Sequence, residues 1–209
     1  MIKNALLTFL IILVPLFGQN KVPNVRLKML DGTSARLHDF LKDGPMLLDF
    51  WATWCEPCKK QMYHLNKFHE HFKDIGLKVL TINTDTPKSM GKVKSYVRSK
   101  KFKFFVAVDP NGQVKKKLKA QLMPTTILVG KDGSIIYRHQ GYSPGDEHDI
   151  LKNITDHLDK KGLSYEPYLQ EDIKNPACPP LFVREILNQK HNILEKASRR
   201  ERKRQNEKR

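Results

Sequence analysis

The chain has 209 residues, enough for one ordinary domain with extensions or at most two small ones, and we predict one domain plus tails. Hydrophobic residues make up 39% and charged residues 29%, so the chain can build a core beneath a heavily charged surface. The formal net charge is +16, from 38 lysines and arginines against 22 aspartates and glutamates. This composition favours a soluble globular protein and excludes one made of several membrane spans.

The first residues have the pattern of an export signal. Lys3 is followed by an apolar run from Ala5 to Phe17, shorter than the roughly 20 residues that span a bilayer. The pattern predicts a signal peptide over residues 1–19, cut after Gly18, with an uncleaved membrane anchor over 1–18 as the alternative. We therefore expect an exported protein, in the periplasm or another extracytoplasmic space.

Helical and strand patterns alternate through the middle of the chain. Strands are predicted over residues 25–30, 34–37, 45–51, 77–83, 104–108, 125–129 and 135–139. Helices are predicted over residues 55–73, 87–101, 114–122 and 147–158. This order indicates an α/β domain over residues 22–160, with helices on both faces of a central sheet and an extra N-terminal β-hairpin.

Residues 161–209 are predicted to be a linker followed by a basic tail, partly helical or disordered. One amphipathic helix is expected over residues 182–194. From Arg184 to Arg209 there are ten Lys or Arg and four Asp or Glu. Such a tail can bind an anionic surface or an acidic partner, and a solvated tail without a partner is the alternative. Export argues against nucleic acid as the partner. Cys178 is an odd cysteine that pairs between chains or stays free.

Cys55 and Cys58 lie two residues apart where a buried strand ends and a helix begins. Pro57 occupies an early helical position that tolerates proline. Amides and the dipole at a helix start stabilise a thiolate at Cys55, so we predict Cys55 as the attacking nucleophile and Cys58 as the resolving thiol. Both cysteines form the redox-active disulfide when oxidised.

A zinc site is the competing interpretation of this cysteine pair, and it needs two more Cys or His ligands. Cys178 is distant in sequence, and His64, His69 and His71 are predicted to be surface residues of the helix. We therefore expect no metal and no cofactor. A purely structural disulfide is disfavoured too, because a pair at an exposed helix start is readily reduced.

Two segments resemble the thioredoxin superfamily, and in particular the exported TlpA-like and ResA-like thiol-disulfide oxidoreductases. They are residues 47–60 (LLDFWATWCEPCKK) and residues 123–126 (MPTT). The resemblance covers about residues 22–159 and implies a thioredoxin-like fold with a central mixed sheet. It also implies that Pro124 is a cis-proline facing the cysteines, with Met123 beside it offering backbone groups to a substrate peptide. We assign Trp54, Met123, Pro124 and Thr125 to the substrate-binding surface. Trp51 is a candidate for the same apolar contact near Cys55, and core packing explains it equally well.

Asp49 lies in an apolar strand, where a charge is costly unless it is functional or paired. It is similar to the buried acid of thioredoxins, which takes a proton from the resolving thiol through water, so we include Asp49 among the catalytic residues. A structural, hydrogen-bonded Asp49 is the alternative. ResA-like proteins commonly carry an acid three positions after the second cysteine, where this chain has Gln61. Glu56 is expected to be exposed and not catalytic.

The sequence thus predicts a thiol-disulfide oxidoreductase that acts on exported proteins, as a reductant fed by a membrane electron donor. The resemblance extends the candidate substrates to apocytochromes c before haem attachment. The alternatives are copper delivery or a redox-linked binding module using the same thiols. A peroxiredoxin is disfavoured because its Pro-x-x-x-Thr-x-x-Cys motif is missing. The direction of electron flow is not encoded in the motif, since about 30 mV of potential is only about 1.4 kcal/mol.

Overall fold

The computed structural model of the protein describes residues 20–165 and residue 168. The predicted leader, the predicted helix over residues 182–194 and Cys178 lie outside these residues. Within the described part of the chain, no helix is both long enough and apolar enough to cross a bilayer.

Seven strands form one mixed sheet. They are β1 (Arg26–Met29), β2 (Ser34–Arg36), β3 (Met46–Trp51), β4 (Lys78–Asn83), β5 (Phe105–Val108), β6 (Thr125–Val129) and β7 (Ile135–Gln140). Their spatial order is β2-β1-β5-β4-β3-β6-β7. β3, β4 and β5 run parallel, whereas β6 is antiparallel to β3, β7 to β6, and β1 to both β5 and β2. The predicted α/β fold, with its N-terminal hairpin β1–β2, is confirmed.

Four α-helices accompany the strands: α1 (Glu56–Phe72), α2 (Met90–Lys100), α3 (Gln113–Lys117) and α4 (Asp146–Lys160). Short 3-10 turns cover Leu37–Leu41, Lys73–Ile75 and Pro87–Ser89. The connections between parallel strands are helical, as a parallel pair requires, because its strands need a long crossover.

β3 is buried along its whole length, as its continuous apolar run predicts. It lies between β4 and β6, and α1 contacts both β3 and β4. The face of α1 that turns inward carries Met62, Leu65, Phe68 and Phe72, none more than 2% exposed. Burial of each such side chain contributes about 1.5–3 kcal/mol, so the start of α1 is firmly held at the end of β3.

Gly76 ends the turn after α1 in a left-handed conformation, with φ of 88°. A Cβ atom at this position would lie 2.6 Å from the carbonyl oxygen of Asp43. Glycine is therefore required twice over, once by the backbone angle and once by the close approach of the loop before β3. Gly76 lies just past the helix predicted over residues 55–73, and it stops the helical segment there.

The prediction for α3 is wrong in its length. The helix was expected to reach Leu122 but ends at Lys117, because Lys119 adopts a left-handed conformation with φ of 53°. The amide of Lys119 donates to the carbonyl of Lys116, and the amide of Ala120 to that of Lys115. These two bonds form a Schellman cap, which usually uses glycine, so the sequence carried no stop signal.

The prediction that His69 is a surface residue is also wrong. His69 is only 9% exposed, and its ring lies 5.8 Å from that of Phe105 in an edge-to-face arrangement. Burial lowers the pKa of its imidazole, which keeps the ring neutral. The buried face of α1 is therefore wide enough to include the His69 side chain.

The chain divides into two compact units, Met1–Gly141 and Tyr142–Arg209. The sheet and helices α1 to α3 belong to the first unit, and α4 belongs to the second. Within the second unit, α4 buries Ile150, Ile154 and Leu158, whose spacing is that of one helical face. The domain bounds at residues 22–160 stay a prediction.

Candidate functional site

Cys55 and Cys58 form a disulfide at the start of α1, with their Cα atoms 5.3 Å apart. Cys55 is the N-cap residue of the helix and is 6% exposed, whereas Cys58 is fully buried. The backbone amide of Cys58 donates to the Sγ atom of Cys55 over 3.3 Å. An amide aimed at this sulfur, at the positive end of the helix dipole, stabilises a negative charge there.

Asp49 lies in β3 and is completely buried. Its Oδ1 atom accepts hydrogen bonds from the Gln61 side-chain amide at 2.7 Å and from the Thr126 hydroxyl at 2.9 Å. The same Gln61 amide donates to the Thr126 hydroxyl at 2.8 Å. Desolvation raises the pKa of Asp49 to about 8, although the two hydrogen bonds lower it in part.

This arrangement links the acid to the helix that carries Cys58. Gln61 lies three residues after Cys58 on α1, the spacing that places two side chains on one helix face. Asp49 and Cys58 are both shielded from bulk water, so a proton transferred between them would stay inside the protein. A carboxyl with a pKa near 8 can both take and return a proton at neutral pH.

A second buried carboxylate holds the loop before Cys55. Asp85 is 3% exposed and follows β4. Its carboxylate accepts three hydrogen bonds, from the Thr53 amide at 2.7 Å, the Thr53 hydroxyl at 2.6 Å and the Asn83 side-chain amide at 2.7 Å. These bonds connect the end of β4 to the loop between β3 and α1. Thr53 is thereby fixed two residues before Cys55.

The peptide bond between Met123 and Pro124 is cis, as the family resemblance predicts. The Met123 sulfur accepts a hydrogen bond from the Thr84 hydroxyl at 3.1 Å. The Thr125 side chain is buried, and its hydroxyl donates to the carbonyl of Leu122. The loop before β6 is therefore held from both sides, by Thr84 and by Thr125.

Two apolar side chains are exposed, one next to the redox pair in sequence and one next to the cis-proline loop. Trp54, directly before Cys55, is 68% exposed, and Leu122, two residues before Pro124, is 61% exposed. Trp51 is fully buried, so core packing accounts for it and a contact surface does not.

Glu56 is exposed, as predicted, and pairs with Lys59 at 2.6 Å. This contact lowers the pKa of Glu56, so the carboxylate is charged at neutral pH. The Lys59 ammonium also lies 5.8 Å from the centre of the Tyr96 ring. In the described residues, no group of three or more His, Cys, Asp or Glu side chains is placed to hold a metal ion.

Local sequence carries no direct signal for three residues of this site. Gln61 stands where ResA-like proteins commonly carry an acid, and its side-chain amide donates to Asp49. Thr126 lies near the start of β6, and its partner Asp49 is 77 residues away along the chain. Asp85 lies just after the end of β4, and its partner Thr53 is 32 residues away. Buried polar residues need hydrogen-bond partners, which is the one signal that marks them.

A disulfide at a helix start, a cis-proline loop and a buried acid together define a thioredoxin-like thiol-disulfide oxidoreductase. Comparison with known proteins agrees. The model of the Redoxin family matches residues 18–154. The chain is 32% identical over 136 residues to the thiol-disulfide oxidoreductase ResA of Bacillus thuringiensis subsp. konkukian, covering 65% of this chain and 77% of that protein.

Further relatives support the same assignment. ResA of Bacillus subtilis is 32% identical over 114 residues, which is 54% of this chain and 62% of that protein. A Chlorobium tepidum crystal structure, described as a thiol:disulfide interchange protein of the DsbE type, superimposes with a TM-score of 0.62 and 28% identity, covering 67% of this chain and 96% of the other. The chain therefore belongs to the Redoxin family, as a ResA-like member of the thioredoxin superfamily, and it is a thiol-disulfide oxidoreductase.

Proposed function

We propose that this oxidoreductase reduces disulfides of exported proteins, with Cys55 as the nucleophile and Cys58 as the resolving thiol. The observation that carries the assignment of roles is the geometry at the helix start. Cys55 is the slightly exposed residue and receives the Cys58 amide, whereas Cys58 is fully buried. A substrate sulfur can reach only the first of the two.

The reaction transfers two electrons and two protons to the substrate. The Cys55 thiolate attacks one substrate sulfur, the substrate disulfide breaks, and the displaced substrate sulfur takes a proton. The Cys58 thiol then loses its proton and attacks the Cys55 sulfur. This second step breaks the mixed disulfide, releases the other substrate thiol and leaves Cys55 and Cys58 oxidised.

Asp49 is proposed as the base for the second step. Its raised pKa of about 8 and its link to α1 through Gln61 support this role. An ionised Asp49 accepts the Cys58 proton through water, which raises the fraction of thiolate available for attack. When the disulfide is reduced again, the same carboxyl returns the proton.

The loop around the cis-proline is proposed to bind the substrate peptide. Met123 presents its backbone there, and Pro124 lacks an amide, so a substrate strand would pair with the residue before the proline. Trp54 supplies an exposed apolar contact. Thr125 acts by holding the loop through Leu122, since its own side chain is buried.

The proposed location is outside the cytoplasm, in the periplasm or an equivalent space, where protein disulfides are formed and persist. A reductant in that space must itself be reduced by a donor in the membrane. The relatives named ResA and DsbE support substrates among exported proteins, and apocytochromes c before haem attachment are one candidate.

A trapping experiment tests the assignment of roles. In a Cys178→Ser background, Cys58→Ser should accumulate a mixed disulfide with an oxidised substrate protein, because the resolving thiol is missing. Cys55→Ser is the matched control, and it should accumulate none. Trapping by Cys55→Ser instead would show that Cys58 is the attacking thiol and would overturn the proposal.

A further inference from the structure

The segment around α2 carries an unusual excess of positive charge. Between Asp85 and Asp109 the sequence contains seven Lys or Arg and no Asp or Glu. All seven side chains are exposed, and none of them forms an ion pair in the described part of the chain. We call them the α2 basic face: Lys88, Lys92, Lys94, Arg98, Lys100, Lys101 and Lys103.

The helix that carries four of these basic residues packs against the segments that flank the redox pair. Tyr96, in the middle of α2, has its ring 5.6 Å from that of Trp51, which ends β3 four residues before Cys55. The Tyr96 ring also lies 5.8 Å from the Lys59 ammonium, next to Cys58 in sequence. The helix that carries the charge is therefore packed against the two segments that flank the disulfide.

We propose that the α2 basic face recruits acidic protein substrates and steers them onto Cys55. This inference rests on the proposed function and adds the charge of the substrate to it. Unpaired surface charges of one sign produce a potential that raises the encounter rate with partners of the opposite sign. Because α2 packs against the segments that flank the disulfide, the attraction draws a substrate toward the place where its disulfide reacts.

An anionic membrane is the other occupant with suitable charge, but the position of the α2 basic face favours a protein. A bilayer held against α2 would cover the helix that packs on the segments flanking the disulfide. A substrate protein needs that same space. An acidic protein substrate both complements the positive charge of α2 and supplies the disulfide that reacts.

The test measures single-turnover rates of the reduced protein, in the Cys178→Ser background, with two disulfide-cyclised peptides. One peptide carries glutamates beside its cysteines, and the other carries glutamines at the same positions. Tryptophan fluorescence reports the reaction, since Trp54 adjoins Cys55. Rates are compared at about 20 mM and about 300 mM ionic strength, because this increase in salt shortens the electrostatic screening length severalfold.

The informative variant is Lys92→Glu/Lys100→Glu, which reverses two exposed charges that each lie about one turn from Tyr96 on α2. The matched control is Arg26→Glu/Lys28→Glu, which makes the same charge change on two exposed residues of β1. β1 is three strands away from β3 in the sheet. Any effect of net charge alone is therefore common to both variants.

We expect the acidic peptide to react about tenfold faster than the neutral one at low salt, with most of that advantage lost at high salt. The α2 variant should lose the advantage while keeping its rate with the neutral peptide, and the β1 control should retain it. Equal rates for both peptides, or equal losses in both variants, would overturn the inference and leave the oxidoreductase assignment intact. Failure with both peptides would instead contradict the proposed function.

A membrane role is tested with the same proteins. Two results together would assign the α2 basic face to an anionic bilayer instead of a protein substrate. The protein would sediment with phosphatidylglycerol vesicles, with loss of binding only in the α2 variant, and the two peptides would react at equal rates. We expect the peptide preference to depend on α2, and vesicle binding to be the same for the variant and its control.

Discussion

Replacing Asp49 by asparagine should stabilise the oxidised protein at neutral pH. The carboxyl has an ordinary pKa of 3.8 when the chain is unfolded, and burial raises its pKa to about 8 in the folded state. Between these two values the folded protein holds one more proton than the unfolded chain. Its free energy of unfolding therefore falls as the pH rises from about 4 to about 8.

The size of the effect follows from the shift. Each pKa unit corresponds to about 1.4 kcal/mol, and pH 7 lies about three units above the pKa of Asp49 in the unfolded chain. Asp49 should therefore make the free energy of unfolding about 4 kcal/mol lower at pH 7 than at pH 4. Asparagine keeps the oxygen that accepts from Gln61 and Thr126 but cannot ionise. The stability difference between Asp49→Asn and the wild type should thus grow by about this amount over the same range.

The assay is denaturant unfolding of both oxidised proteins at several pH values between 4 and 9. His69 adds an opposite slope below its ordinary pKa, because burial lowers the pKa of its ring, but this contribution is common to both proteins. The control is Asp74→Asn, the same chemical change on an exposed residue. Parallel stability curves for the wild type and Asp49→Asn would refute the account of a buried, protonated acid.

Three further substitutions test other parts of the site and fold. Gln61→Glu would place a second carboxyl against Asp49, so one of the two must stay protonated, and the pH profile of mixed-disulfide resolution should move to higher pH. Asp85→Asn removes an acceptor from donors that remain buried and should lower the free energy of unfolding by about 1–3 kcal/mol, as measured by urea denaturation. Gly76→Ala should destabilise clearly more than Gly141→Ala in thermal unfolding, because both have a positive φ but only the first meets a carbonyl oxygen at 2.6 Å.

Much of the fold could be predicted because its signals are local. The continuous apolar run of β3, the three- and four-residue spacing on α1 and the left-handed stop at Gly76 each arise within a few residues. The cysteine pair at the junction of strand and helix is equally local. The cis bond before Pro124 was inferred from family resemblance, since proline alone does not specify it.

The unpredicted features depend on contacts between distant parts of the chain. The pairing of Gln61 with Asp49 and Thr126 joins α1, β3 and β6, and nothing in the local sequence specifies which donors meet the acid. The early end of α3 has a different cause. Lys119 takes the left-handed position that glycine normally occupies, so tertiary structure overrides the local preference there.

The midpoint potential of the Cys55–Cys58 couple tests the central claim most directly, by redox titration of the Cys178→Ser protein. A value near or below about −250 mV is the predicted result, because a reductant of exported disulfides needs a potential in that range. A value near about −120 mV would contradict the account, since the protein would then install disulfides instead of removing them.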